Sequence, residues 1–204
     1  MDQINSLIVN GFHGTTAEIW DQIDSHGIQQ STRNSLWLGR GCYFFQDAPL
    51  LASKWAKNLA ERNGGVPVVL AAKIDISECF DLLDINNSSA IRHIYSSEIA
   101  NGNNIPTQVG PISLFREPRP HRLGWNFRDC HMLNKTLENL DKKYGDFAIT
   151  TVRSAFIEGF QLFDDSWLFD DSHVAISVRH PKALKIIKRL DVETLQSLEE
   201  RYII

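Results

Sequence analysis

The chain has 204 residues, of which 43% are hydrophobic, a size that suits one domain with a buried core and is small for two. Its net charge of -4 and pI near 6.0 argue against a globally basic nucleic-acid-binding or membrane-surface protein, so any basic site must be local. Cys42, Cys79 and Cys130 are odd in number and lack C-x-x-C spacing, which argues against a disulfide framework or a zinc site. We therefore expect a single domain, residues 1–204, in a reducing compartment.

Neither a signal peptide nor a membrane span is predicted. The N-terminus lacks a basic stretch followed by an apolar one, and no apolar run reaches the ~18–20 residues that span a bilayer. A cytoplasmic, soluble protein is expected.

The first element is a short, β-rich stretch at residues 6–12, which delivers the dipeptide His13-Gly14 to the start of a helix. Thr15 and Glu18 have the spacing of a capping box, and Gly27 suits the left-handed residue that follows a helix end. The sequence thus predicts that His13 lies where a strand gives way to a helix.

A second strand and helix follow a polar loop at residues 29–35. Residues 42–45 predict the strand, and Asp47 is expected to cap the helix, with Pro49 in its first turn. Apolar residues recur between positions 48 and 60 at the i, i+3, i+4, i+7 spacing of a helix with one buried face.

The remaining elements alternate in type without a regular βαβ rhythm, which predicts an α+β fold. We expect strands at 66–76, 147–151, 155–157, 172–178 and 184–187, helices at 90–100 and 128–144 and after Asp191, and loops at 101–125 and 159–171. The segment Gly39-Arg40-Gly41 does not fit a dinucleotide fingerprint, because Phe44 occupies the third glycine position and a strand follows.

Two motifs and their spacing carry a resemblance to a known family. Phe12-His13-Gly14-Thr15, then Gly27-Ile28, then Leu38-Gly39-Arg40-Gly41-Cys42-Tyr43-Phe44-Phe45 and an alanine-rich helix occur in that order. The series resembles the first two signature blocks of ADP-ribosyltransferases of the diphtheria-toxin and poly(ADP-ribose) polymerase type, and it covers about a quarter of the chain. The resemblance implies a fold of two small packed sheets, antiparallel or mixed, that form an NAD cleft flanked by helices.

The resemblance also implies roles for individual residues. Gly14 would pair its main-chain N–H and C=O with the nicotinamide carboxamide, and His13 would hydrogen-bond a ribose hydroxyl of NAD. Tyr43 would stack on the cationic nicotinamide ring. The implied NAD-binding set also contains the following residues: Thr15, Arg40, Gly41 and His173. Arg40 alone is equally compatible with a surface ion pair.

Cleavage of NAD requires an acid, since a carboxylate beside the ribose stabilises the oxocarbenium-like centre and orients the nucleophile. In the related enzymes a glutamate begins a late core strand, which matches residues 172–174, and no carboxylate stands there. We expect Glu158 to be the catalytic acid, with Asp170 and Asp171 as alternatives and His173 as an orienting group. Glu158 is equally compatible with a structural hydrogen bond at a turn.

The acceptor of ADP-ribose is less determined. Arginines in the 101–125 loop, namely Arg116, Arg119 and Arg122, are interleaved with aromatic residues and suit contact with phosphate and bases. The alternative is a loop held by ion pairs with the acidic segment 164–171. The resemblance to bacterial relatives suggests a toxin or antiphage effector that acts on RNA, DNA or protein and has a neutralising partner.

Three functions stay open at this point. The first is an NAD-dependent mono-ADP-ribosyltransferase that needs no metal. The second is an NAD glycohydrolase that releases free ADP-ribose. The third is a non-catalytic module that binds NAD or nucleic acid, which the missing carboxylate on the late strand makes plausible.

Overall fold

The computed structural model describes residues 7–31, 33–34, 36–106 and 127–199. Its elements are β1 (Ile8–Thr16), α1 (Ala17–His26), β2 (Cys42–Gln46), α2 (Pro49–Asn63), β3 (Pro67–Asp75), β4 (Cys79–Asp81), α3 (Ile85–Ala100), α4 (Phe127–Tyr144), β5 (Thr151–Phe156), β6 (His173–Val178), a 3-10 turn (Pro181–Ala183), β7 (Leu184–Asp191) and α5 (Val192–Glu199). Most of the 101–125 loop, with Arg116, Arg119 and Arg122, lies outside the described residues.

The seven strands form one curled, mixed sheet in the order β4-β5-β6-β2-β1-β3-β7. Only the β4–β5 pair is parallel. The predicted α+β class is therefore confirmed. The sheet differs from the two separate sheets expected, because a short stretch of pairing between β1 and β2 joins its two halves.

Helices cover one face of the sheet in two groups. α2 and α5 pack over β1 and β3, in a core cluster of Ala52, Val69, Val192 and Leu195. α4 packs over β5 and β6, in a cluster that includes Leu133, Leu137, Val152 and Ala175. The opposite face buries Phe44, Ile74, Ile176 and Val178. β2 thus lies between the strands that the two helical groups cover.

The strand β1 is longer than predicted. It stays paired with β3 as far as Thr16, so His13 and Gly14 lie inside the strand and not at its end. The predicted capping box is wrong, because Thr15 is a buried strand residue and Thr16 is the N-cap. The main-chain N–H of Ala17, the first residue of α1, donates to the carbonyl oxygen of Val66, which precedes β3.

The starts of two further helices also differ from expectation. Ala48 is the N-cap of α2, while the Asp47 carboxylate accepts a hydrogen bond from the side chain of Asn10 at 2.8 Å. α3 begins at Ile85, earlier than predicted, because Asp84 accepts a hydrogen bond from the first-turn N–H of Asn86. The short strand β4 was not predicted, and β7 extends beyond its expected end.

In the described ranges, no helix combines the length and the apolar character needed to cross a membrane.

Candidate functional site

The central feature of the sheet is a gap between β1 and β2. Their pairing covers two residues on each strand and ends where Phe12 faces Phe45. β1 remains paired with β3 beyond that point, whereas β2 remains paired with β6. The residues that follow, His13 and Gly14 on β1 and Tyr43 on β2, therefore border a place where neighbouring strands have separated.

The main chain of Gly14 points into this gap. Along a strand, successive residues direct their N–H and C=O groups to alternate sides. The carbonyl of Asn10 accepts from the N–H of Asp47 at 3.1 Å, on the β2 side, whereas the carbonyl of Leu7 accepts from Ile76, beyond the end of β3. Even-numbered residues of β1 thus face β2, and Gly14 is one of them. Its N–H and C=O have no paired residue in β2.

Packing also requires glycine at this position. A Cβ on Gly14 would lie 2.1 Å from the carbonyl oxygen of Ala52 and 2.8 Å from the amide nitrogen of Ala56, both in the backbone of α2. Sequence reasoning missed this close approach. The pair of alanines four residues apart on α2 is the signal that could have revealed it.

His13 bridges the two separated strands. Its Nδ1 lies 2.7 Å from the main-chain carbonyl of Tyr43, and because a carbonyl only accepts, Nδ1 carries the proton. Burial lowers the pKa of His13 below its usual 6.5, which favours the neutral ring. Nε2 is then an acceptor, and it has no hydrogen-bond partner among the described residues.

The hydroxyl of Tyr43 is fixed by two hydrogen bonds. Its hydroxyl donates to the carbonyl of Gly39 at 2.8 Å and accepts from the N–H of Leu38 at 2.7 Å. Burial raises the pKa of this hydroxyl well above its usual value, so the side chain is neutral. Since the hydroxyl is committed to the turn at residues 36–39, only the ring of Tyr43 can serve a ligand.

Of the other predicted NAD-binding residues, Thr15 and Gly41 are packed within the sheet, whereas Arg40 lies at the surface. Thr15 is 1% exposed within β1. Gly41 lies against β6, where a Cβ would approach Ser177 Oγ to 2.2 Å. Arg40 is exposed, and its guanidinium lies 3.5 Å from Asn34 Oδ1.

The three predicted acids lie in the loop between β5 and β6. The Asp171 carboxylate binds the ammonium of Lys54 on α2 through both oxygens at 2.7 Å. Asp170 accepts a hydrogen bond from the N–H of Phe160 at 2.7 Å. The carboxylate of Glu158 has no hydrogen bond or ion pair within the described part of the chain. Of the three acids, Glu158 is therefore the one left uncommitted.

Glu158 does not reach the gap in this structure. Tyr43 pairs with Ser177 of β6, while the carbonyl of Glu158 accepts from the N–H of Asp171. These two levels are six residues apart, of which four residues lie within β6 and span about 14 Å, and the other two precede the strand. His173, four residues from Ser177, is about 14 Å away on the same scale.

His173 belongs to a series of aromatic rings on the helix-covered face. Its Nδ1 donates to the carbonyl of Asp171 at 2.7 Å. Its ring stacks on Phe156 at 5.6 Å and meets the edge of Phe45 at 4.9 Å. Phe156 in turn meets Trp37 at 5.0 Å. Sequence reasoning did not find this series, because its four members lie in the loop before β2, in β2, in β5 and in β6.

The loop that carries Glu158 exposes many large apolar side chains. Those at least half exposed are Ile157, Phe160, Leu162, Phe163, Trp167 and Leu168. The loop is nevertheless ordered internally, since Leu162 donates to the carbonyl of Leu168 and Gln161 is bridged to Phe169. Contiguous exposed apolar groups of this kind mark interaction surfaces.

Among the described residues, no group of three or more His, Cys, Asp or Glu side chains is arranged to hold a metal ion. Neither a protein-family model nor a curated protein matches the chain.

Proposed function

We propose that the protein is an NAD-dependent mono-ADP-ribosyltransferase with an ADP-ribosyltransferase-like fold, and that the gap between β1 and β2 takes the nicotinamide of NAD. The observation that carries this proposal is the orientation of Gly14. Its N–H and C=O point into a gap between strands, and one donor beside one acceptor is the arrangement that a primary carboxamide can match. No side chain at residue 14 stands in the way.

The neighbouring groups suit the rest of the nicotinamide riboside. The ring of Tyr43 offers a π face to the positively charged pyridinium, an attraction worth about 0.5–2 kcal/mol. The neutral His13 accepts a hydrogen bond from a ribose hydroxyl at Nε2, while Nδ1 stays bonded to the carbonyl of Tyr43.

In the reaction, the bond between ribose C1′ and the nicotinamide nitrogen breaks, and both electrons leave with nicotinamide, which becomes neutral. An oxygen or nitrogen of the acceptor bonds to C1′ and loses a proton. Glu158 is the proposed proton acceptor, because its carboxylate is uncommitted whereas those of Asp170 and Asp171 are engaged. Its distance from the gap requires the β5–β6 loop to approach the bound NAD.

A non-catalytic NAD-binding module is the second candidate. The observation that favours it is that none of the three predicted acids lies beside Gly14 and Tyr43. Such a module would bind NAD through the same gap without releasing nicotinamide.

The wider context of the proposal rests on the motif resemblance alone. It comprises a cytoplasmic toxin or antiphage effector that modifies RNA, DNA or protein and is restrained by a neutralising partner.

Incubation with adenylate-labelled NAD and a cell extract tests the proposal. The transferase reading expects released nicotinamide together with label on a macromolecule, which protease and nuclease treatment then assigns. Label found only in free ADP-ribose indicates a glycohydrolase. Binding of NAD without consumption indicates the non-catalytic module.

The controls use two variants. Tyr43→Leu should lose both binding and turnover. Arg62→Ala should behave as the wild type, because Arg62 is exposed and its hydrogen bond among the described residues is to Asn58 of the same helix. Equal NAD binding by wild type and Tyr43→Leu would exclude the gap as the nicotinamide site.

A further inference from the structure

A second candidate site is a cavity between α3, α4 and β5. Its volume is about 510 Å³, within the range of small-molecule pockets in proteins. It does not include Gly14 or Tyr43. Part of its floor is Phe156, the ring that stacks on His173. The cavity therefore adjoins the aromatic series that contains His173 and is not part of the nicotinamide gap.

Aromatic side chains from three segments line the cavity. Trp37 comes from the loop before β2, Tyr95 from α3 and Phe156 from the end of β5. Trp37 meets Phe156 edge to face at 5.0 Å. A planar base can stack on such rings, and each stacked base contributes about 1–3 kcal/mol.

Two arginines stand at the same cavity, one on each helix. Arg92 on α3 is exposed and has no ion pair within the described residues. Arg128 on α4 uses Nε to donate to the carbonyl of Pro106 at 3.1 Å, which orients its guanidinium. Guanidinium groups match phosphate oxygens in charge and geometry. The carboxylate of Asp129 also lines the cavity. It would repel a phosphate, so the phosphate is expected beside the arginines.

We propose that this cavity binds a nucleotide, with its base on the aromatic side chains and its phosphate at Arg92 and Arg128. Two sources supply this chemistry, the adenylate half of NAD and a nucleotide of a nucleic-acid acceptor. Nucleotide binding is independent of the proposed transferase activity, whereas the choice between the two sources rests on it.

Calorimetric titration with the four ribonucleoside monophosphates and with adenosine tests the proposal. Arg92→Ala should weaken monophosphate binding about tenfold, because a charged hydrogen bond is lost, and should leave adenosine binding unchanged. Trp37→Leu should weaken both classes of ligand. Arg62→Ala is the matched control, because it removes an exposed arginine of α2.

Saturating NAD separates the two sources. If NAD displaces the monophosphate, the cavity holds the adenylate of NAD. If a short single-stranded oligoribonucleotide still binds with NAD present, the cavity serves an acceptor. No binding of any monophosphate at millimolar concentration overturns the proposal, as does equal binding by Arg92→Ala, Trp37→Leu and the control. Monophosphate binding without any NAD binding would leave the cavity assignment intact and refute the proposed function.

Discussion

Replacing Tyr43 with phenylalanine separates the two roles that the structure gives this residue. The substitution removes the bond of 2.8 Å to the carbonyl of Gly39 and the bond of 2.7 Å from the N–H of Leu38, and it keeps the aromatic ring. A typical hydrogen bond contributes about 0.5–1.5 kcal/mol, so the two together amount to about 2 kcal/mol. For a chain of this size, Tm should fall by about 4–8 °C. NAD affinity should stay unchanged.

The measurement combines urea unfolding with calorimetric NAD titration for Tyr43→Phe and Tyr43→Leu. Tyr43→Leu should lose stability to at least the same degree and should also lose NAD binding, because the π face is gone. Two results would exclude these separate roles for the hydroxyl and the ring of Tyr43. One is wild-type stability in Tyr43→Phe, and the other is a loss of NAD affinity as large as that in Tyr43→Leu.

Three further predictions concern Gly14, His13 and Glu158. Gly14→Ala should cost about 1–3 kcal/mol of unfolding free energy. Gly11→Ala should cost less, because its Cβ would meet side-chain atoms, Cδ1 of Ile74 and, at 3.0 Å, Cβ of Phe44, and not a helix backbone. Urea melts in which the two costs are equal would contradict this. Burial lowers the pKa of His13, so the unfolded chain binds a proton at this residue more tightly than the folded chain does. The free energy of unfolding should therefore decrease as the pH is lowered below about 6.5, by at most about 1.4 kcal/mol per pH unit. His13→Gln should flatten this part of the profile, and an identical slope in the variant would exclude His13 as its cause. Glu158→Gln should abolish transfer of labelled ADP-ribose while unfolding stays unchanged, with Asp170→Asn as the active control; full activity in Glu158→Gln would remove Glu158 from the mechanism.

The sequence predicted the elements whose signals are local. α4 and β6 were predicted to within one residue at each end, because each has a regular apolar pattern. The end of β1 was misplaced, since its last residues are held in the strand by pairing with β3, which no local pattern reveals. The start of α2 was misassigned because Asp47 bonds across to Asn10 of β1 instead of capping the helix.

For the candidate site, the motif resemblance predicted that His13, Gly14 and Tyr43 come together at the ends of two strands. The structure brings the three residues together, with His13 and Gly14 inside β1, and their role toward NAD stays a prediction. Contacts between residues far apart in the sequence could not be predicted. The ion pair between Lys54 and Asp171 links residues 117 positions apart, so no spacing rule finds it. The separation of Glu158 from the gap depends on the register of β5 against β6, which the sequence leaves undetermined.

The proposed site requires that the main chain of Gly14 binds the carboxamide of NAD. The most direct measurement is the amide resonance of Gly14 in the ¹⁵N-labelled protein, followed by NMR during titration with NAD. We predict a large, saturable shift at Gly14 and no shift at Gly64 or Gly102, which lie in open turns away from the gap. An unchanged Gly14 resonance at saturating NAD would show that the main chain of Gly14 does not bind the carboxamide.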